Sequence, residues 1–176
     1  MRDARRKFRI LGLPPILAAA IAGVLIVLAI AAVYFLFRRP TPVVRPLVNT
    51  LTFAGLDGRI GEPFGVAVKG RDIYVSDGEN GVIWRIAPDG SAVQFASGLD
   101  TPSGIAFAGD DLIVADPGTH SIKKVSPKGK VESFAGTDGT SGWVDGTAGE
   151  AKFDAPIGVA VSEGKIYVAD TYNDRI

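Results

Sequence analysis

A repeated motif in the second part of the chain restricts the fold more than any other feature of the sequence. Three copies begin with Pro-x-Gly, at Pro63, Pro102 and Pro156. An Asp follows each of these prolines after fourteen positions, at Asp77, Asp116 and Asp170. The first two copies stay aligned as far as Phe95 and Phe134, which gives a period of 39 residues. Repeats of this length are typical of proteins in which each unit packs only against its neighbours.

Each copy predicts four short β-strands. In the first copy these strands are Gly65–Val68, Ile73–Ser76, Val82–Ala87 and Ala92–Ala96. They are rich in Val, Ile, Tyr and Phe and are separated by turn residues. Four strands in about 40 residues is the spacing of a β-propeller blade. The fold class is therefore all-β in this part of the chain, and the architecture is a propeller.

The third copy resembles the NHL-repeat family. Its Pro-x-Gly at Pro156 is followed, at residues 168–176, by Val-Ala-Asp-Thr-Tyr-Asn-Asp-Arg-Ile, which is close to that family's pattern. The connector at residues 138–156 is similar to one found in bacterial members. The resemblance covers about residues 50–176 and implies an NHL-type β-propeller, whereas family members include binding scaffolds, sensor ectodomains and some enzymes. The second copy departs from the pattern, because Thr119 stands where Asn80 and Asn173 stand in the others.

The propeller predicted from these copies is incomplete. Residues 47–176 provide a leading strand at Leu47–Ala54, blades at 63–101 and 102–155, and a truncated blade at 156–176, about two and a half four-stranded blades. A closed propeller needs about four to eight blades. We therefore expect the sequence to be a fragment of a longer protein, with several chains completing one ring as the alternative.

The first part of the chain predicts one transmembrane α-helix at residues 10–37. These residues carry no charge, and residues 16–37 are an unbroken run of 22 mostly large apolar residues. As a helix this run would extend about 33 Å, enough for a hydrocarbon core of about 30 Å. A basic tail at residues 1–9 precedes the helix, and a Pro-rich linker at residues 38–46 follows it.

The charges beside the predicted helix favour a cytoplasmic N-terminus. Five Lys and Arg residues precede the helix and three follow it closely, and cytoplasmic flanks carry the excess of positive charge. The protein is then single-pass in the cell membrane, with the propeller extracytoplasmic. Two alternatives are a signal peptide cleaved near residues 29–31 and twin-arginine export through Arg5 and Arg6.

Composition excludes several classes of function. The chain has no Cys and one His, so a disulfide framework, a thiol nucleophile and a zinc site rich in Cys or His are ruled out. Residues 46–176 contain 11 basic and 18 acidic residues, a balance that disfavours binding to nucleic acid. No nucleophile elbow and no phosphate-binding Gly-rich loop occur. We predict no catalytic residue.

An acidic loop face is the predicted binding surface. In a four-stranded meander, the turn between the second and third strands lies on the same face as the connector to the next blade. These loops contain twelve acidic residues against Arg59 and Lys152: Asp57, Glu62, Asp77, Glu79, Asp100, Asp116, Asp138, Asp145, Glu150, Asp154, Asp170 and Asp174. Clustered charge of one sign attracts cations and basic partners. The connectors also differ in length, as binding loops of repeat proteins do.

Particular residues of this face are candidates for a site. Glu62, Asp100 and Asp154 precede the repeat prolines and are candidate ligand-binding residues and weak candidates for a metal site, since Ca²⁺ prefers oxygen ligands. Trp143 is either an anchor for the longest connector or an exposed partner contact. His120 is either a titrating group or a solvated turn residue. Asp77, Asp116 and Asp170 are predicted to be structural turn residues, because they recur regularly.

The resulting prediction is a membrane-anchored scaffold that binds a protein, peptide or carbohydrate outside the cytoplasm, without a cofactor. The alternative is a metal-dependent lactone hydrolase resembling the gluconolactonase group, which would use Ca²⁺ or another divalent cation to polarise a carbonyl and activate water. We expect a binding module rather than an enzyme, because similarity of fold does not establish chemistry.

Overall fold

The computed structural model of the protein describes residues 15–37 and 50–176. The predicted basic tail at residues 1–9, the start of the predicted transmembrane helix at residues 10–14, and the Pro-rich linker at residues 38–46 lie outside the described residues. The chain divides into two units, residues 1–49 and residues 50–176.

The described part of the first unit is a single helix, α1, at Pro15–Phe37. Proline is tolerated in its first turn, where backbone N–H groups have no partner within the helix. Side chains are described for residues 16, 17 and 19–34 of this helix. Among the described residues, no helix has both the length and the apolar character needed to cross a membrane. The predicted helix is therefore seen at Pro15–Phe37. Its crossing of a membrane stays a prediction.

The second unit is all-β and consists of antiparallel sheets. Its strands are β1 (Pro63–Lys69), β2 (Asp72–Asp77), β3 (Val82–Ile86), β4 (Ala92–Ser97), β5 (Ile105–Ala108), β6 (Asp111–Asp116), β7 (Ser121–Val125), β8 (Val131–Ala135), β9 (Pro156–Ser162) and β10 (Lys165–Asp170). Strands β1–β4 form one sheet in sequence order, strands β5–β8 a second, and strands β9 and β10 a pair. We call these the first, second and third blades, since they are consistent with a partial propeller.

The predicted leading strand at Leu47–Ala54 is not seen. Residues 47–49 lie outside the described part of the chain, and residues 50–54 form no strand. An outer strand needs a neighbouring strand with which to pair, and the described residues provide none at this position. The carbonyl oxygen of Phe53 nevertheless lies 2.9 Å from where a Cβ would stand on Gly90. In the second blade, the carbonyl oxygen of Phe95 lies in the same way beside Gly129, the glycine equivalent to Gly90. Phe53 is therefore placed against the first blade as Phe95 is placed against the second.

The core lies between the blades rather than under one sheet. Leu112 and Val114 on β6 pack toward the first blade in a cluster with Ile83, and all three side chains are fully buried. The intervening Ile113 belongs to a second cluster, which includes Val159 of the third blade. Because both faces of β6 are covered, its residues 112–115 are all apolar and do not alternate with polar residues.

Two glycines allow neighbouring blades to approach closely. A Cβ on Gly104 would lie 2.5 Å from the carbonyl oxygen of Ile157 and 2.9 Å from the Cα of Gly158. A Cβ on Gly65 would likewise meet the carbonyl oxygen of Ser103. Any side chain at these positions would push the blades apart.

Candidate functional site

In each blade, a buried aspartate joins the preceding connector to the turn that follows the blade's second strand. The Asp77 side chain is fully buried and accepts hydrogen bonds from the backbone N–H groups of Gly61 at 2.9 Å and Glu62 at 3.1 Å. It also accepts hydrogen bonds from the amide Nδ2 of Asn80 at 2.8 Å and the indole Nε1 of Trp84 at 2.9 Å. These contacts fix the connector before β1 against the turn between β2 and β3.

The ionised form of Asp77 is strongly favoured. Burial by itself raises the pKa of this carboxyl, but the hydrogen bonds donated by Asn80, Gly61 and Trp84 outweigh burial and lower the pKa to about 2. Asp77 is therefore a structural anion that its donors stabilise, and it lacks the raised pKa expected of a general acid at neutral pH.

The same arrangement recurs at Asp116, where fewer donors are available. Asp116 accepts hydrogen bonds from the backbone N–H groups of Asp100 at 3.1 Å and Thr101 at 3.0 Å, and from the Thr119 hydroxyl at 3.0 Å. Burial is the dominant influence and raises the pKa of Asp116, although these donors and the charge of Lys123 oppose it. The difference from Asp77 arises because Thr119 and Lys123 stand where the first blade has Asn80 and Trp84.

Asp170 has this position in the third blade. It accepts hydrogen bonds from the backbone N–H of Asp154 and from the Asn173 amide, both at 2.7 Å. The predicted turn aspartates thus join each connector to the following turn on one side of the sheets. We call this side the candidate binding face, and it comprises residues 55–62, 78–81, 98–101, 117–120, 136–155 and 171–174.

The three acidic candidates before the repeat prolines lie on this face in three separate connectors. The side chains of Glu62 and Asp100 are exposed, and that of Asp154 is half-buried. Over residues 15–37 and 50–176, no group of three or more His, Asp or Glu side chains is placed to hold one metal ion. These acids therefore do not form a shared metal-binding cluster.

The longest connector is held by its backbone and not by its tryptophan. The Asn173 amide donates a hydrogen bond to the Gly142 carbonyl oxygen at 2.6 Å, and the Arg175 guanidinium donates to the Trp143 carbonyl oxygen at 3.3 Å. The side chain of Trp143 is 71% exposed. The predicted anchoring of the connector by the Trp143 side chain is not seen, and its role as a partner contact stays a prediction.

His120 joins the second blade to the next connector. Its Nδ1 accepts a hydrogen bond from the backbone N–H of Ala155 at 3.1 Å and lies 3.2 Å from Oδ1 of Asp154. The His120 side chain is 29% exposed. The side chain of this turn histidine is therefore half-buried rather than fully solvated, because the connector before the third blade packs against it.

Two basic residues outside the candidate binding face pair with acids of its longest connector. The ammonium group of Lys123, which projects from the buried strand β7, lies 2.6 Å from Asp138. The guanidinium of Arg175 lies 3.9 Å from Asp145. Asp77, Asp116 and Asp170 are buried, so they contribute little to the exposed surface. The exposed acidic side chains of this face therefore lie mainly in the connectors.

Sequence reasoning missed the residues that support the aspartates. Trp84 and Lys123 occupy equivalent repeat positions. The Trp84 indole donates a hydrogen bond to Asp77, and the charge of Lys123 acts to lower the pKa of Asp116. Aligning the copies at these positions would have shown that both side chains can donate a hydrogen bond. Ser76 was also missed, and its hydroxyl donates a hydrogen bond to the Ser103 carbonyl oxygen at 2.5 Å, across the interface between the first two blades.

Comparison with known proteins agrees with this arrangement. Residues 153–176 match the family model described as NHL repeat. The chain contains an NHL repeat. Those residues include β9, β10 and the Asp170 contacts, so the match falls on the third blade. No curated protein matches the sequence.

Solved structures with a similar fold include two auxiliary nutrient-binding proteins. The one from Bacteroides thetaiotaomicron has a TM-score of 0.60 and 22% identity, over 64% of this chain and 36% of that chain. The one from Bacteroides ovatus has a TM-score of 0.53 and 19% identity, over 60% of this chain and 33% of that chain. This chain thus spans about a third of the length of these proteins, and the likeness shows the fold alone.

Proposed function

We propose that this NHL-repeat protein is a membrane-anchored binding module that lies outside the cytoplasm. Its candidate binding face takes a protein, peptide or carbohydrate partner. The observation that carries the proposal is the set of aspartate hydrogen bonds, which hold loops of different lengths together on one face. A rigid framework that presents variable loops is typical of binding proteins.

The acidic charge of the exposed loops supports a basic partner. Five exposed acids of the face have no ion-pair partner among the described residues: Glu62, Glu79, Asp100, Glu150 and Asp174. Charges of one sign on the same surface speed the approach of an oppositely charged partner. The similar proteins named as nutrient-binding support binding as the general activity.

The sequence around α1 supports the anchor. Residues 10–37 carry no charge, and five basic residues precede them. This arrangement favours a helix that spans the membrane with its N-terminus in the cytoplasm.

The absence of cysteine allows a direct test of anchoring and orientation. A single cysteine introduced by Ser91→Cys, in the exposed turn between β3 and β4, should react with a membrane-impermeant maleimide in intact cells. The matched variant Ala4→Cys should react only after permeabilisation. Labelling of Ala4→Cys alone in intact cells would show the opposite orientation. Loss of the protein from membranes washed with carbonate would contradict the anchor.

Binding to the acidic face is tested with a nona-lysine peptide as the probe. The triple variant Glu62→Gln, Glu79→Gln and Asp100→Asn should weaken binding by about fivefold at low salt, since each exposed charge contributes little by itself. The control removes the same number of charges at the opposite ends of the strands, by Asp89→Asn, Asp111→Asn and Glu163→Gln. An equal loss with the control variant would contradict a specific role of the candidate binding face.

The cofactor question is addressed by calorimetry with CaCl₂ on the full chain. A binding module without a cofactor should show no saturable binding of Ca²⁺. Saturable binding that disappears with Asp100→Asn, together with lactone turnover, would instead support the hydrolase alternative. No arrangement of the described carboxylates favours that alternative at present.

A further inference from the structure

The junction between the first and second blades encloses a cavity that the binding face does not use. The cavity has a volume of about 350 Å³ and is lined mainly by apolar and aromatic side chains: Lys69, Tyr74, Phe95, Phe107, Asp110, Leu112, Val125 and Pro127. Lys69 ends β1, Asp110 lies in the turn between β5 and β6, and Pro127 follows β7. The cavity therefore opens at the ends of the strands opposite the candidate binding face. Both blades that line it have all four strands.

Three aromatic rings form one wall of this cavity. The ring of Tyr74 lies 5.0 Å from that of Phe95 and 5.0 Å from that of Phe107, with interplanar angles of 81° and 82°. Such edge-to-face contacts are the favoured geometry of aromatic pairs. A further planar ring could extend the same packing.

The Tyr74 hydroxyl is an unused polar group beside this wall. Tyr74 is 9% exposed, yet its hydroxyl has no hydrogen-bond partner among the described residues. Tyrosine hydroxyls usually find a partner when they are buried. Every fully buried polar side-chain atom in the described part of the chain has a partner, so this hydroxyl reaches solvent. Tyr74 is one of the residues that line the cavity.

A charged pair lies at the mouth. The Lys69 ammonium group is 2.6 Å from Asp110 and donates a hydrogen bond to the Gly109 carbonyl oxygen at 3.1 Å. It also lies 4.9 Å from the centre of the Phe107 ring. This ion pair joins the turns of the two blades, and both of its residues line the cavity together with the apolar side chains.

The junction between the second and third blades can be compared with this one. Other residues stand at several equivalent positions there, so the fold does not require all the residues that line the cavity. At the junction between the second and third blades, Ile113 stands at the position of Tyr74 and Val161 at that of Phe107. Ala108 and Gly164 stand at the positions of Lys69 and Asp110. The second junction forms its core without this set. The paired rings of Tyr74 and Phe107, the tyrosine hydroxyl and the charged mouth are therefore specific to one junction among the described residues.

We propose that this cavity binds a small aromatic compound that carries a hydrogen-bonding substituent. A volume of about 350 Å³ is at the lower end of the range for ligand sites and suits one or two fused rings. The ligand ring packs against Phe95 and Phe107, and its polar group exchanges a hydrogen bond with the Tyr74 hydroxyl. This site is separate from the acidic face and does not depend on the function proposed for it.

The test uses the full chain in lipid nanodiscs with ¹³C-labelled methyl groups and phenol as the probe. Saturable shifts of the Leu112 and Val125 methyl signals are expected, because both residues line the cavity. The methyl signals of Val161, at the other junction, should not move. Absence of saturable shifts at Leu112 and Val125 would overturn the proposal.

The role of the hydroxyl is tested by Tyr74→Phe, which keeps the ring. Phenol affinity should fall about fivefold, as expected for one lost hydrogen bond, whereas toluene affinity should stay unchanged. The matched control is Tyr167→Phe, the same change at the equivalent position of the third blade, and it should alter neither affinity. Equal losses for phenol and toluene, or a loss with the control, would overturn the proposal.

Discussion

Equivalent aspartates in the repeats differ in how well their charge is stabilised. Asp77 and Asp116 are both fully buried, but Asp77 has the Asn80 amide and the Trp84 indole as donors. The donors of Asp116 are two backbone N–H groups and one hydroxyl. One residue type at one repeat position therefore has its pKa lowered in the first blade and raised in the second.

Replacing the two aspartates by asparagine should have unequal effects. At Asp77 the new amide NH₂ would face other donors, so Asp77→Asn should lower the free energy of unfolding by about 2 kcal/mol. Asp116→Asn should lower it by less, because the Thr119 hydroxyl can accept a hydrogen bond from the new amide. Urea unfolding of the full chain in detergent, followed by tryptophan fluorescence, measures both. Asp89→Asn, in an exposed turn, serves as the control, and equal losses at Asp77 and Asp116 would contradict the account.

The contributions of Asp77 and Asp116 to the free energy of unfolding should change in opposite directions with pH. The pKa of Asp77 is lowered from 3.8 to about 2 in the folded chain, so its stabilisation is complete above the unfolded pKa and is lost as the pH falls through the folded pKa. The folded pKa of Asp116 is raised, so its contribution to stability increases as the pH falls. The difference in urea midpoint between wild type and Asp77→Asn should therefore shrink between about pH 4 and pH 2. A difference that stays constant over this interval would show that ionisation of Asp77 does not stabilise the fold.

At the scale of the elements, the blades depend on each other for their cores. Strand β6 supplies Leu112 and Val114 to one junction and Ile113 to the other. The inner strands can approach only because glycine lies at the contact. Gly104 meets the backbone of the third blade, whereas a Cβ on the equivalent Gly158 would meet only the Ala169 side chain, at 3.2 Å.

The glycine positions therefore predict a graded response to alanine. Gly104→Ala should lower the free energy of unfolding by about 2 kcal/mol, within the range for overpacking in a core. Gly158→Ala should cost well under half as much, since only a methyl group has to move. Thermal unfolding of the two variants in the same detergent measures the difference. A larger loss for Gly158→Ala would mean that the blades do not meet as described.

At the scale of the whole molecule, the second unit leaves an apolar side of its first blade open. Val66 is 62% exposed on β1, while the equivalent Ile105 of the second blade is 7% exposed because the first blade covers it. Val68 and Phe64 on the same strand are 64% and 59% exposed. Exposed apolar surface of this kind promotes association.

Self-association of the chain should depend on this open side. Sedimentation velocity in detergent should show association that increases with protein concentration. Val66→Lys should reduce it, because a charged side chain resists burial at an interface. Val93→Lys places the same charge on β4, where the valine is 49% exposed, and should have a smaller effect. Identical sedimentation of both variants and the wild type would contradict this role of β1.

The sequence by itself determined the features that are encoded within one repeat. The four strands of the first blade were predicted to within a few residues, because turn residues and β-branched residues act over short windows. The spacing of fourteen residues from Pro to Asp also predicted which aspartates occupy equivalent turns. These properties need only neighbours along the chain, so the sequence contains them directly.

Only the tertiary structure decided what those residues contact. Residues 50–54 form no strand, and the aspartates reach N–H groups 15 or 16 residues earlier in the chain. Tyr74 meets Phe107 of the next blade, and the resulting cavity has no pattern in the sequence. Burial, pKa and hydrogen bonding depend on groups that are distant in sequence and close in space, and for that reason they emerge only when the blades pack together.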